Sequence, residues 1–94
     1  MELKIRYIYY DSGFENRLKK YIKFSNPKDR KKVQDAIRAF QLNIFNPKLD
    51  THKLGGKLRD RWSFSINYSD RIAFRFIDHE SVLFMDIGDH DIYK

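Results

Sequence analysis

From residue 62 to residue 76 the apolar side chains fall on every second position. Trp62, Phe64, Ile66 and Tyr68 alternate with Ser63, Ser65 and Asn67. After the short turn Tyr68-Ser69-Asp70, Ile72, Phe74 and Phe76 alternate with Arg71, Ala73 and Arg75. A period of two over both runs predicts two half-buried strands, and the short connection makes them an antiparallel hairpin. One apolar face then needs a cover, so a second layer must come from elsewhere in the chain. The other face displays Ser63, Ser65, Arg71 and Arg75.

The cover is legible upstream. Ser12-Gly13-Phe14-Glu15 has the form of a capping box, with Glu15 reaching back to the cap amide. Phe14, Leu18, Tyr21 and Ile22 follow at helical spacing. Asn26-Pro27-Lys28-Asp29 opens a second helix with Pro at its first position. Val33, Ala36, Ile37, Phe40 and Ile44 form its stripe until Asn46-Pro47 stops it. An αα-hairpin over roughly residues 12–23 and 26–45, broken at Phe24-Ser25, is expected to cover the sheet. Leu3, Ile5, Tyr7 and Tyr9 alternate with Lys4 and Arg6, which predicts a first strand with those four on its buried side. Thr51 to Gly56 reads as a loop with a turn at Gly55-Gly56. Asp78-His79-Glu80 leads into a last strand from Ser81 to Asp86. The fold class is α+β, order β-α-α-β-β-β, with a small, mainly antiparallel sheet of four strands in a single domain spanning 1–94.

Charge is distributed unevenly along this frame. Residues 1–49 hold twelve Lys/Arg against five Asp/Glu, and residues 50–94 hold seven against eight, within a net charge of +6. A basic half suits a polyanionic partner, although lysine-rich helix faces also serve solubility alone. No run of eighteen apolar residues is present, so no transmembrane helix is expected and the partner is not a membrane. The N-terminus lacks the apolar block of a signal peptide, and the expected location is cytoplasmic. Zero cysteines exclude disulfides and thiolate metal sites. No P-loop, dinucleotide fingerprint, Gly-x-Ser-x-Gly or His-Glu-x-x-His motif occurs, so no metal, small-molecule cofactor or nucleotide is expected.

What remains is a set of groups suited to RNA cleavage. Arg71 and Arg75 carry the donors that a phosphodiester needs. Their plainer use is ion pairing with Asp70, Asp86 or Asp89. His90, just past Gly88, belongs to the residue type that exchanges protons near neutral pH. A base that removes the 2′-OH proton lets that oxygen attack phosphorus, cations hold the growing charge, and an acid protonates the leaving 5′-oxygen. His52 lies in the loop before the hairpin, as a second proton-transfer group, a phosphate contact or an ordinary loop residue. Lys53, Lys57, Arg59 and Arg61 in the same stretch are candidate RNA contacts. Tyr93 is an aromatic suited to stacking on an extruded base, or to pinning the terminus on the sheet edge. His79, between Asp78 and Glu80, reads as solvated.

Leu54-Gly55-Gly56-Lys57-Leu58, Trp62-Ser63 through Asn67, Asp70-Arg71-Ile72 and Gly88-Asp89-His90-Asp91-Ile92-Tyr93 together resemble the RelE-type mRNA interferase toxins of the RelE/ParE superfamily. The likeness runs over nearly the whole chain and is densest from Leu54 onward. It implies a toxin that enters the ribosomal 30S A site and cleaves mRNA, silenced by a cognate antitoxin protein. Carried over by position, Arg71 matches the phosphate-binding arginine, His90 the catalytic position and Tyr93 the terminal aromatic, one residue closer to the His than in the family pattern. His52 matches a loop His of the YafQ-like branch. Ser63 and Ser65 stand where strongly basic members carry lysines, which implies a less cationic face. The same superfamily holds non-enzymatic inhibitors of DNA gyrase, and a degenerate scaffold that only binds an antitoxin is a third reading.

Overall fold

The computed structural model describes residues 3–58 and 60–89, residue 58 by its backbone alone. Strand β1 (Tyr7–Tyr10) leads into helices α1 (Phe14–Lys23) and α2 (Pro27–Leu42). Strands β2 (His52–Lys53), β3 (Trp62–Ser65), β4 (Arg71–Phe76) and β5 (Ser81–Gly88) follow, with 3-10 turns at Pro47–Leu49 and Gly56–Leu58. The sheet order is β1-β5-β4-β3-β2, with β1 parallel to β5 and the other pairings antiparallel. The architecture is thus the α+β arrangement read from the sequence, with five strands rather than four. The additional strand is β2, two residues long, in the segment read as a loop. Its register, His52 with Ser63 and Lys53 with Trp62, is created by pairing with β3.

The helix pair covers one sheet face as the periodicities required. Val33, Ala36, Phe40 and Ile44 are buried with Phe64, Ile66, Ile72, Phe74, Val82 and Phe84, and Ile37 and Phe76 pack at the margin. Phe40 is the hub. Its ring stacks on Phe64 at 4.3 Å and meets Phe74 and Phe84 edge-on at 4.9 and 5.7 Å. The α2 start is built as expected, the Asn26 side chain accepting the Asp29 amide at 2.8 Å with Pro27 at the first helical position.

Three local expectations need correction. No capping box forms at α1: Asp11 accepts the Gly13 amide through its side chain (3.0 Å) and the Phe14 amide through its carbonyl (3.0 Å). Asp11 thus makes the turn one residue before Ser12, and Glu15 pairs with Lys19 at 3.4 Å instead. Tyr7 and Tyr9 are not on the buried side of β1. The amides of Arg6 and Tyr7 both donate to the Glu80 carbonyl, at 2.8 and 3.1 Å. Two residues opposite one make a bulge that reverses the alternation, so Ile5 is buried, Ile8 packs on the core, and Tyr7 and Tyr9 turn outward. Tyr68 lies beyond the end of β3 and is fully exposed, because the chain turns at Asn67 before it reaches the core.

Candidate functional site

Register places the polar residues of the sheet in rows across the face away from the helices. His52, Ser63, Ala73 and Asp86 form one row; Ser65, Arg71 and Gly88 the next; Arg75, Leu83 and Tyr9 a third. Arg71 and Arg75 therefore share the face away from the helices, as the alternation predicted, but Ser63, expected to be displayed there, is fully buried beside Ala73. A bulge at Met85 of β5, opposite the Ala73–Phe74 step of β4, keeps Phe74 and Phe84 inward while Asp86 stays beside Ala73.

The first two rows meet at Asp50, and the sequence around it explains why. Asn46 opens the 3-10 turn by accepting the Lys48 amide at 3.0 Å, Leu49 plugs into the core, and the Thr51 hydroxyl donates to the Ile44 carbonyl at 2.5 Å. Between these two anchors Asp50 adopts the left-handed region (φ 48°, ψ 43°), which Asp tolerates better than most residues. Its Oδ2 lies 3.7 Å from Nη1 of Arg71 and 3.9 Å from Nδ1 of His52. Its carbonyl lies 2.8 Å from the same Nδ1. A carbonyl only accepts, so this bond places the proton on Nδ1 and leaves the lone pair on Nε2. Arg71 also donates to the Ser65 hydroxyl, and its side chain is only 17% exposed against 69% for Asp50. The result is an imidazole oriented through Nδ1 beside a guanidinium fixed by Ser65 and Asp50, groups whose chemistry allows proton exchange and binding of an anionic oxygen.

The remaining sequence-derived candidates are placed less uniformly. Arg75 is exposed on the open face and has no carboxylate partner among the described residues. The expected pairing of Arg71 with Asp70 or Asp86 does not form. Asp70 accepts from Tyr21 Oη at 2.5 Å and from Asn67 Nδ2 at 3.2 Å, and Asp86 is held by Arg17 at 3.1 Å. Lys53 pairs with Trp62 and falls on the helix side of β2, opposite His52. Lys57 is exposed on the second 3-10 turn. Arg61 is half-buried before β3, its carbonyl accepting the Leu54 amide at 2.8 Å. Arg59, His90 and Tyr93 lie outside the described residues. His79 is exposed in its turn, where the Glu80 amide, donating to Asp78, holds that carboxyl below its usual range. Among the described residues no three His, Asp or Glu side chains are grouped as metal ligands.

Sequence reading missed Asp50; the only signal was an acidic residue two positions before a histidine after a Pro-Lys-Leu turn. It also gave Asn67 no structural task, and gave Asp70 a place in the turn and a possible pairing with arginine rather than with Tyr21. Asn67 Oδ1 accepts the amides of Ser69 and Asp70 at 3.0 and 2.8 Å, which makes the β3–β4 turn. Its Nδ2 reaches Asp29 at 3.4 Å, so the turn is tied to both helices through Tyr21 and Asp29. Burial first, and the bond to Asp70 second, raise the Tyr21 hydroxyl above its usual value. These residues hold the hairpin, and with it Arg71, in place.

No protein-family model matches this chain, and no curated protein does. Solved structures do. A YoeB/ParE toxin from Agrobacterium tumefaciens superposes with a TM-score of 0.73 at 15% identity, covering 90% of this chain and 99% of that one. YafQ from E. coli strain BL21(DE3) gives 0.70 at 13% identity, covering 92% and 94%. A chain of the E. coli DinJ-YafQ toxin-antitoxin complex gives 0.63 at 14%, covering 90% and 92%. The fold of this chain is therefore the RelE-like fold that its sequence resembled.

Proposed function

We propose that this chain is the toxin of a toxin–antitoxin pair and cleaves mRNA on the ribosome by 2′-OH attack. The observation that carries the proposal is the His52–Asp50–Arg71 cluster on the open sheet face of a fold shared with YafQ and YoeB/ParE toxins. A base takes the 2′-OH proton, the 2′-oxygen attacks the adjacent phosphorus, and the 5′-oxygen leaves with a proton from the acid. The products are a 2′,3′-cyclic phosphate and a 5′-hydroxyl, with no other reactant consumed. Arg71, already fixed by Ser65 and Asp50, stabilises the charge on the non-bridging oxygens, and Arg75 adds a second, more exposed cation. His90, two residues past Gly88 in the row of Arg71, is the proposed main proton-transfer group, and His52 the second. Tyr93 is proposed to stack on the base, and Lys53, Lys57, Arg59 and Arg61 to contact flanking phosphates. A protein with this activity needs an inhibitor, and the toxin–antitoxin complex among the structural neighbours supports a protein partner of that kind.

The test is primer extension on ribosome-bound mRNA after brief induction in growing cells, with wild type and the variants His90→Ala, His52→Ala and Arg71→Ala. Acid–base assistance is worth about 10²–10⁴-fold, so His90→Ala should remove cleavage and toxicity, and Arg71→Ala should weaken both strongly. Equal cutting by His90→Ala removes the assigned mechanism. Intact mRNA with DNA damage would make the chain a gyrase inhibitor instead.

A further inference from the structure

The open face continues past Arg75 to β1, an edge strand that presents two tyrosines. Tyr7 and Tyr9 are 46% and 52% exposed, with ring centroids 6.5 Å apart and planes 30° apart. Tyr9 lies in register with Leu83 and, across β5, with Arg75; Tyr7 is beside Ser81. The Arg6 guanidinium sits 6.0 Å from the Tyr7 ring. Tyr10 is different: its ring packs on Phe14 at 4.9 Å and Phe84 at 6.2 Å, at the core margin. Tyr7 and Tyr9 contact no core ring, so packing does not account for them.

We propose that Tyr7 and Tyr9 form a stacking platform for unpaired bases of single-stranded RNA, some way along the strand from the cleavage cluster. The proposal rests on the ribonuclease reading of the same face. Every base has a π face, and aromatic side chains on an open sheet bind unstacked bases without reading their sequence. The charge around the platform fits a polyanion. Arg6 is exposed beside Tyr7, and Arg75 stands two strands away, about 10 Å at ordinary strand spacing. A strand held at Arg71 and crossing Arg75 reaches Tyr9 within a few nucleotides. The cluster would then cut where the strand is held, and the tyrosines would set how much flanking RNA contributes to binding.

The experiment is an anisotropy titration of the intact protein with labelled, unstructured 2′-O-methyl RNA of increasing length, which has no free 2′-OH and so resists the proposed cut. Wild type should gain affinity as the oligonucleotide lengthens. Tyr7→Ala/Tyr9→Ala should lose that gain, about tenfold or more, with an unchanged melting temperature. Tyr7→Phe/Tyr9→Phe should keep it, because a phenyl ring stacks as well. Affinity unchanged in the alanine variant, or lost equally in the phenylalanine variant, overturns the platform, as does a wild type that does not bind. If the alanine variant fails only to capture a partner protein, β1 is a protein-pairing edge and the proposal also falls. Cleavage of ribosome-bound mRNA is read separately. Cutting with no tyrosine effect sinks the platform alone, and tyrosine-dependent binding without cutting sinks the ribonuclease alone.

Discussion

Asp50 does two things that a single substitution cannot separate but a pair can. Its backbone occupies the left-handed region, and its exposed carboxylate lies between Arg71 and His52. An ion pair with one partner this exposed stabilises little, about 0–1 kcal/mol, so the carboxylate serves orientation more than stability. Asp50→Ala should cost about 1–2 kcal/mol, mainly because a Cβ residue other than Asp or Asn is strained there. Asp50→Gly relieves that strain, so it should melt close to wild type and still lose most RNA cleavage. Urea denaturation and primer extension on the two variants check both halves; a glycine variant that cuts like wild type would leave Asp50 a purely backbone role. At this scale the sequence was legible where chemistry is local to a residue type. His52 and Arg71 stand out by type and alternation, and both reach the open face. Asp50 did not, because its contacts depend on a loop path set by Leu49 and Thr51 rather than on any period.

Elements follow the sequence wherever one period runs unbroken, as in α2, β4 and the four residues of β3, which stops at Ser65 short of Tyr68. They were misread where a single hydrogen-bonding event resets the phase. The shared Glu80 carbonyl turns Tyr7 and Tyr9 outward, and nothing in the run from Leu3 to Tyr9 marks that slip. Strand β2 was invisible because two residues carry no period; only β3 makes it a strand. The β3–β4 turn shows the opposite case, in which polar residues couple elements. Tyr21 of α1 donates to Asp70, and Asn67 spans Asp70 and Asp29. Tyr21→Phe removes a bond to a charged acceptor and should cost about 1–3 kcal/mol at pH 7. The sign of the pH dependence follows from the raised hydroxyl. Its stabilising contribution is complete below the ordinary tyrosine value near pH 10 and is lost as pH rises toward the folded value. Denaturant midpoints of wild type and Tyr21→Phe should therefore converge above pH 10, and parallel curves there would show that the bond is not made.

Across the whole molecule, charge and chemistry occupy different layers. The excess of cations in residues 1–49 was legible by counting, but counting does not say which surface receives it. Lys19, Lys20, Lys23, Lys28, Arg30, Lys31 and Lys32 are all exposed on the helix pair, whose inner side packs on the sheet. The cluster of His52, Asp50 and Arg71 lies on the other sheet face, where one carboxylate offsets one guanidinium. On the proposed reading, attraction of RNA to the helix layer and its cleavage on the opposite sheet face are then separable properties. Lys28→Gln/Lys31→Gln/Lys32→Gln removes three charges from exposed positions of α2, where ordinary surface substitutions change stability by about 0.5 kcal/mol or less. Each phosphate contact to a single strand contributes about 0.7 to the slope of log affinity against log salt, so the triple variant should lower that slope by up to about 2. Arg71→Ala should lower the slope by less than one contact's worth, because its guanidinium already faces Asp50, yet it should remove most cleavage. Titrating both variants with one unstructured RNA from low to moderate salt decides the matter. If the helix substitutions leave the slope untouched while Arg71→Ala flattens it, binding and cutting use the same face, and the lysines of the helix pair serve solubility alone.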